Sequence, residues 1–293
     1  MDALKQLLPL AVSGSLAGLV LAVGLDAHWR DLTYLLRRPG RLARAVLVIS
    51  VLTPAAAVIL VSLLSLQPAV KAGIILLAIS PVPPFVPGRD RSVGAARGYV
   101  YGLFAAYALL AVAVVPLSVL VMDRVFGASA TIAPQAVAGL VGTSVLIPLL
   151  LGQLIRALAP TLASKAAPLV MKLSLAVLGI VCLPLLFKLG PAFGALIGHG
   201  VLAAAVLFAL AALAFGHWLG GETALSERAA LAITAGTRHP GIALLVANAN
   251  GADKDVAAAV LLVFLTCFAV TTVYQVAIKR RLAHAAAEPP ATA

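Results

Sequence analysis

The stretch "SPVPPFVPGRD", Ser80 to Asp90, interrupts a long apolar run and decides how the chain is read. Pro81, Pro83, Pro84 and Pro87 fall within seven positions. A proline lacks a backbone N–H, and its ring collides with the carbonyl four residues back, so no regular α-helix passes through here. Arg89, Asp90 and Arg91 follow at once. In hydrocarbon, irregular backbone survives only where protein or a watery cavity covers it. The meaning of the break therefore depends on whether the rest of the chain lies in a membrane.

Composition answers that. Of the 293 residues, 62% are hydrophobic and only 11% charged, and the mean hydropathy is +1.10. Soluble domains carry about 25% charged residues, so the expectation is an all-α polytopic membrane protein forming one domain over residues 1–293. A spanning helix needs roughly 20 mostly apolar residues. Nine segments qualify, at about 8–25, 45–64, 71–96, 98–122, 134–155, 169–187, 201–220, 229–250 and 256–278, leaving 279–293 as a short cytoplasmic tail. The first has the length of a secretory leader. However, Lys5 is offset by Asp2, and no small-x-small cleavage site precedes Asp26, so it reads as a span.

The net charge of +11 is spread between the apolar runs, where topology signals sit, and gives no reason to expect nucleic acid. With the tail inside, fourteen basic residues fall on inner loops and five on the outer side (Lys5, Lys71, Arg124, Lys188, Lys254). An odd number of spans follows, N-terminus outside and C-terminus inside, as in a bacterial inner membrane. Cys182 and Cys267 lie far apart in apolar runs, and the five histidines are scattered, so no metal or cofactor site is legible. Gly14 and Gly18 form a GxxxG suited to close helix approach. Pro54, Pro116, Pro148 and Pro184 each read as a kink in one span.

A second break lies in the eighth span, at "TAGTRHPG", Thr234 to Gly241. Gly236 loosens the helix and Pro240 disfavours α geometry at His239. Between them stands Arg238, near the middle of its segment. A charge at that depth costs at least about 2.5–3.5 kcal/mol, and arginine does not shed its proton. A cavity, a counter-charge or an anionic ligand must offset that cost. Five spans separate the two breaks, so the segments enter the membrane in opposite senses. Inverted-repeat transporters place a midplane site between two such broken helices, whose half-helix N-termini favour anions. The candidate substrate-binding set is Arg238, His239, Thr237, Thr234, Gly236, Phe85, Pro83 and Pro84. Arg89 and Asp90 read, with Arg91, as the inner rim of a vestibule or gate.

Together, "GLDAHWRDLTYLLRRPGRLARAVLVISVLTPAAAVIL", "KAGIILLAISP" and "RAALAITAGTRHPGIALLVA" resemble the bile acid:sodium symporter family over nearly the whole chain. The resemblance implies two inverted five-helix repeats, often without the first helix, two broken helices crossing at the centre, and a core domain moving against a panel. The motifs diverge. Where the family's first crossover reads Cys-Pro-Gly-Gly-Thr-Ala-Ser-Asn, this chain continues from Pro81 with Val82, Pro83, Pro84, Phe85, Val86 and Pro87. The oxygens that would ligate sodium are missing. Where the second reads Glu-x-Gly-x-Gln-Asn, Gly236 is kept, while Thr234, Arg238 and His239 take the Glu, Gln and Asn positions.

A sodium carboxylate is thus replaced by a threonine, and a permanent cation stands nearby. The leading expectation is a secondary transporter moving a small organic anion by alternating access. Its coupling ion would be sodium, a proton or none, with Arg238 either pairing the substrate or standing in for the ion. One alternative is a binding or sensory membrane protein that keeps the fold without transport. An intramembrane enzyme would need a set such as Ser80, Asp90 and His239. The chain offers no nucleophile elbow, carboxylate pair or metal motif to support one.

Overall fold

The structure, a computed structural model, describes residues 2–126, 139, 142–197, 200–221 and 224–287. Every element among them is a helix. In chain order these are α1 (Asp2–Asp26), α2 (Trp29–Leu32), α3 (Pro39–Leu63), α4 (Pro68–Ile79), α5 (Val86–Ser92), α6 (Arg97–Phe126), α7 (Gly142–Leu158), α8 (Pro160–Ile197), α9 (Val201–Leu219), α10 (Leu225–Gly236), α11 (Pro240–Ala249) and α12 (Lys254–Ala287). Prolines open many of them: Pro39, Pro68, Pro160 and Pro240 are first residues, where a missing N–H costs nothing. Gly94, at φ +76°, turns the chain from α5 into α6.

Six helices among the described residues are long and apolar enough to cross a membrane, and three shorter apolar ones (Leu10–Asp26, Pro68–Ile79, Gly142–Leu158) lie between them. Large apolar side chains such as Leu63, Leu158, Ile180 and Val273 stand exposed on outer faces, as in a protein solvated by lipid. The chain does break in the third and eighth apolar segments, at residues 80–85 and 237–239.

Two helices run beyond the apolar segments they contain. The sixth segment, 169–187, lies inside α8, which runs from Pro160 to Ile197, about 57 Å at 1.5 Å per residue. Only Ala159 separates it from α7. The stretch between the apolar segments is rich in Ala, with Leu158 and Leu162, all good helix formers, and proline is tolerated at the start of α8. Residues 279–287, read as tail, continue α12 as helix, for the same reason. The expected start of the fifth segment, at Pro134, lies outside the described residues.

The helices sort into two packed groups. In the first, α1 lies along α7 and α8. Gly24 and Gly152 face each other so closely that a Cβ on Gly24 would sit 2.5 Å from the Leu149 carbonyl oxygen. Gln153 donates to the carbonyls of Gly24 and Ala27, and Arg156 to that of Leu25, filling acceptors that the end of α1 leaves unpaired. Of the GxxxG pair, Gly18 packs on Ser174 of α8, whereas Gly14 faces open space. The second group holds both broken helices. Here α4 packs on α12, α9 packs on α10 and α3, and Ile74, Leu77, Phe208 and Val260 form a common core.

Gly24→Val is expected to lower the thermal unfolding midpoint in detergent by the equivalent of about 1–3 kcal/mol, the usual cost of overpacking. Gly14→Ala should leave it unchanged. Equal midpoints for the two variants would contradict this packing.

Candidate functional site

Each break leaves carbonyls without donors, and the sequence shows which. In an α-helix the Ser80 carbonyl would accept from residue 84, but Pro84 has no N–H. A related omission occurs in α3. Its segment Leu47–Leu52 is wound as a π-helix, in which Thr53 donates to Val48, five residues back. Ile49 would then need a donor at position 54, which is Pro54. Two carbonyl oxygens, from Ser80 and Ile49, are thereby released by proline.

Arg238 takes both. Its Nη2 donates to the Ile49 oxygen at 2.6 Å and its Nη1 to that of Ser80 at 3.3 Å. The side chain is 3% exposed, and Nε is buried without a partner among the described residues. At the next residue the His239 N–H donates to the Pro81 carbonyl at 2.9 Å, joining the two breaks backbone to backbone. His239 also caps α11, its Nδ1 accepting from the Ile242 N–H at 3.3 Å.

The second break is held from the opposite side. Arg89, on α5, donates to Thr237 in the break at 3.2 Å, and to Thr271, Thr272 and Gln275 of α12 at 3.1, 3.1 and 2.9 Å. Its guanidinium also lies 4.5 Å over the Phe268 ring. Beside it Asp90 is 1% exposed and accepts from Thr234 of α10 at 2.8 Å, while its Oδ1 is buried with no partner among the described residues. Arg89 and Asp90, expected at an inner rim or gate, thus both contact the second broken helix. The short α5 turns them into the crossing, and Arg91 alone of the three lines the open cleft between α5 and α1.

The expected substrate residues divide accordingly. Arg238 borders a cavity of about 20 Å³ with Ile49, Ser50, Ser80 and Tyr107, room for about one water. His239 and Pro84 border a larger one of about 170 Å³, with Pro81, Val82, Gly241, Phe104 and, from the first helix group, Ser13, Leu16 and Ser144. Thr234 and Thr237 are taken up by Asp90 and Arg89. Gly236 packs against Thr271 and Leu213, Phe85 meets Phe268 edge-on at 6.0 Å, and the buried Pro83 accepts from the Val86 N–H. The sequence reading missed Ile49, although Pro54 five residues on was its signal. It also missed Thr271, Thr272 and Gln275, whose polar run inside the last apolar segment was visible.

A comparison with known families now bears on this crossing. The model of the Sodium Bile acid symporter family matches residues 15–191, more than half of the chain. The chain belongs to the sodium bile acid symporter family. No curated protein matches it. As a family member it is an integral membrane transporter of the symporter type, and members of the family are transporters rather than enzymes. The family match covers the first break and ends before Arg238 and His239.

Arg238→Lys keeps the charge but not the planar fork. It is expected to lose one charge-assisted hydrogen bond, about 1.5–3 kcal/mol, and Arg238→Met both. Thermal unfolding in detergent should rank wild type above Lys above Met. A Met variant as stable as wild type would show that the two carbonyls do not depend on Arg238.

Proposed function

We propose that this symporter-family member carries a small organic anion by alternating access, and that Arg238 holds the position of the coupling cation permanently. The observation that carries this reading is the buried guanidinium bound to two carbonyl oxygens that proline has released. Carbonyl oxygens at a helix break are what a transporter offers to a sodium ion. Here a tethered cation has them already. A second cation 4 Å away would be repelled by roughly 4 kcal/mol at an effective dielectric of 20. Arg238 bonded to backbone in this way is better suited to replacing an ion than to pairing a substrate.

Nine crossings are counted if the three shorter apolar helices also span, with the arginines of residues 30–44 inside. The group of α1, α7 and α8 would act as the panel. The elements α3, α4–α5 and α6, and α9, α10–α11 and α12, would form the two inverted halves of the core. Support comes from the cavity of about 170 Å³, which lies between these groups rather than inside one. A dry cavity of about 150 Å³ accommodates benzene, so the fit is to a small organic acid in this conformation. His239 and Gly241 bring the start of α11 to its wall, an end that favours negative charge.

The test is uptake of radiolabelled benzenesulfonate, a permanently charged anion of fitting size, into proteoliposomes. Uptake is expected to be indifferent to an imposed sodium gradient. Arg238→Gln, which restores the family's residue, should lower it at least about tenfold, the equivalent of one lost charge-assisted hydrogen bond. Stimulation of the wild type by sodium would sink the proposal.

A further inference from the structure

Asp90 is left over by this account. Two acidic side chains, Asp90 and Glu227, are buried among the described residues; Glu227 is paired with Arg41, whereas Asp90, at 1% exposure, uses only half of its carboxylate. Thr234 serves Oδ2 at 2.8 Å, while Oδ1 has no donor among the described residues. Leaving a buried polar atom unpaired costs about 1–3 kcal/mol, and more for a charged group. A purely structural carboxylate would be expected to use both oxygens, or to contact Arg89 directly. Arg89 instead spends its donors on Thr237, Thr271, Thr272 and Gln275.

An open cleft lies on the other side of the short helix that carries Asp90. On α5, Pro87, Gly88 and Arg91 border an open cleft of about 380 Å³, shared with Asp26 and Tyr101. Asp90, on the same short helix, faces α10 instead, so the width of α5 separates its carboxylate from that cleft. With Arg238 occupying the cation position, a cycle that concentrates its substrate needs another ion to drive it.

We propose that Asp90 is the proton-binding group of the transport cycle, taking a proton on its free oxygen in one state and releasing it to the cleft in the other. This rests on the reading of Arg238 as a tethered cation. The step is a simple exchange: one proton bonds to Oδ1 and the carboxylate charge is lost, then the O–H bond breaks and the charge returns. No metal or redox partner is needed. The surrounding charges are few. On its own helix stand Arg89 and Arg91. From α6, Tyr99 lies close enough to interact with both Asp90 and Glu227, while Arg97 is turned to Asp26. From α10, Glu227 is held by Arg41 at 3.0 Å and Arg228 donates to the His217 carbonyl. The α12 groups nearest Arg89 are the neutral Thr271, Thr272 and Gln275.

The experiment uses the full chain in proteoliposomes and infrared difference spectroscopy across a pH titration, which needs no substrate. All ten acidic side chains contribute to the carbonyl stretch of protonated carboxyls, so Asp90 is read as the titrating component that is present in the wild type and lost in Asp90→Asn. In Thr234→Val, which removes a donor to the ionised form, its midpoint should move to higher pH. Identical carbonyl-stretch titrations in the wild type and Asp90→Asn, an unmoved midpoint of that component in Thr234→Val, or its displacement by sodium would each overturn the proposal. Benzenesulfonate accumulation driven by a pH gradient is read in parallel and should be lost in Asp90→Asn. If the wild type carries no benzenesulfonate, the anion reading fails, while the spectrum still decides the proton site.

Discussion

A guanidinium buried between two helix breaks is the constraint to which the rest of the structure answers. Arg238 carries its charge at neutral pH, so the fold must supply acceptors at the centre of an apolar protein. It does so with backbone. Pro54 withholds an N–H from the π-wound turn of α3, Pro84 withholds one from the end of α4, and the released oxygens of Ile49 and Ser80 meet on Arg238. Prolines that look like damage in a membrane helix act as the source of the site's acceptors. In a bilayer those oxygens have little but the guanidinium and a cavity for about one water to turn to, which makes guanidinium and carbonyls mutually dependent.

The same logic runs in the opposite direction. Arg89, carried by the helix that follows the first break, reaches the second at Thr237 and ties it to α12. Each broken helix thus provides the cation that holds the other's break. A backbone bond from His239 to Pro81 closes the crossing between them. This second helix group then presents one face to α1, α7 and α8, whose own cohesion rests on Gly24 against Gly152 and on polar caps from Gln153 and Arg156. The larger cavity falls on the seam between the groups, where relative motion would open and close it.

The broad plan was legible in the sequence because it follows from hydropathy and proline position. The apolar segments, both breaks and the odd placement of Arg238 could all be read from residue type and spacing. The ends of helices were less legible: α8 and α12 run past their apolar cores because Ala-rich sequence continues a helix whether or not lipid surrounds it. The site was half visible. Arg238 and His239 were found, yet their partners are main-chain oxygens, which carry no residue signature. The inward turn of Arg89 and Asp90 depends on the direction in which α5 leaves the break. A run of charge after a proline cluster looks the same in sequence whether it caps a rim or enters a core.

The central claim is that the crossing already contains its cation. It is tested most directly by thermal unfolding of the purified protein against sodium, with choline chloride holding ionic strength constant. A ion that binds the native state raises its apparent stability in proportion to occupancy. The account predicts coincident unfolding curves for the wild type in sodium and in choline. A midpoint that climbs with sodium concentration in the wild type would contradict it.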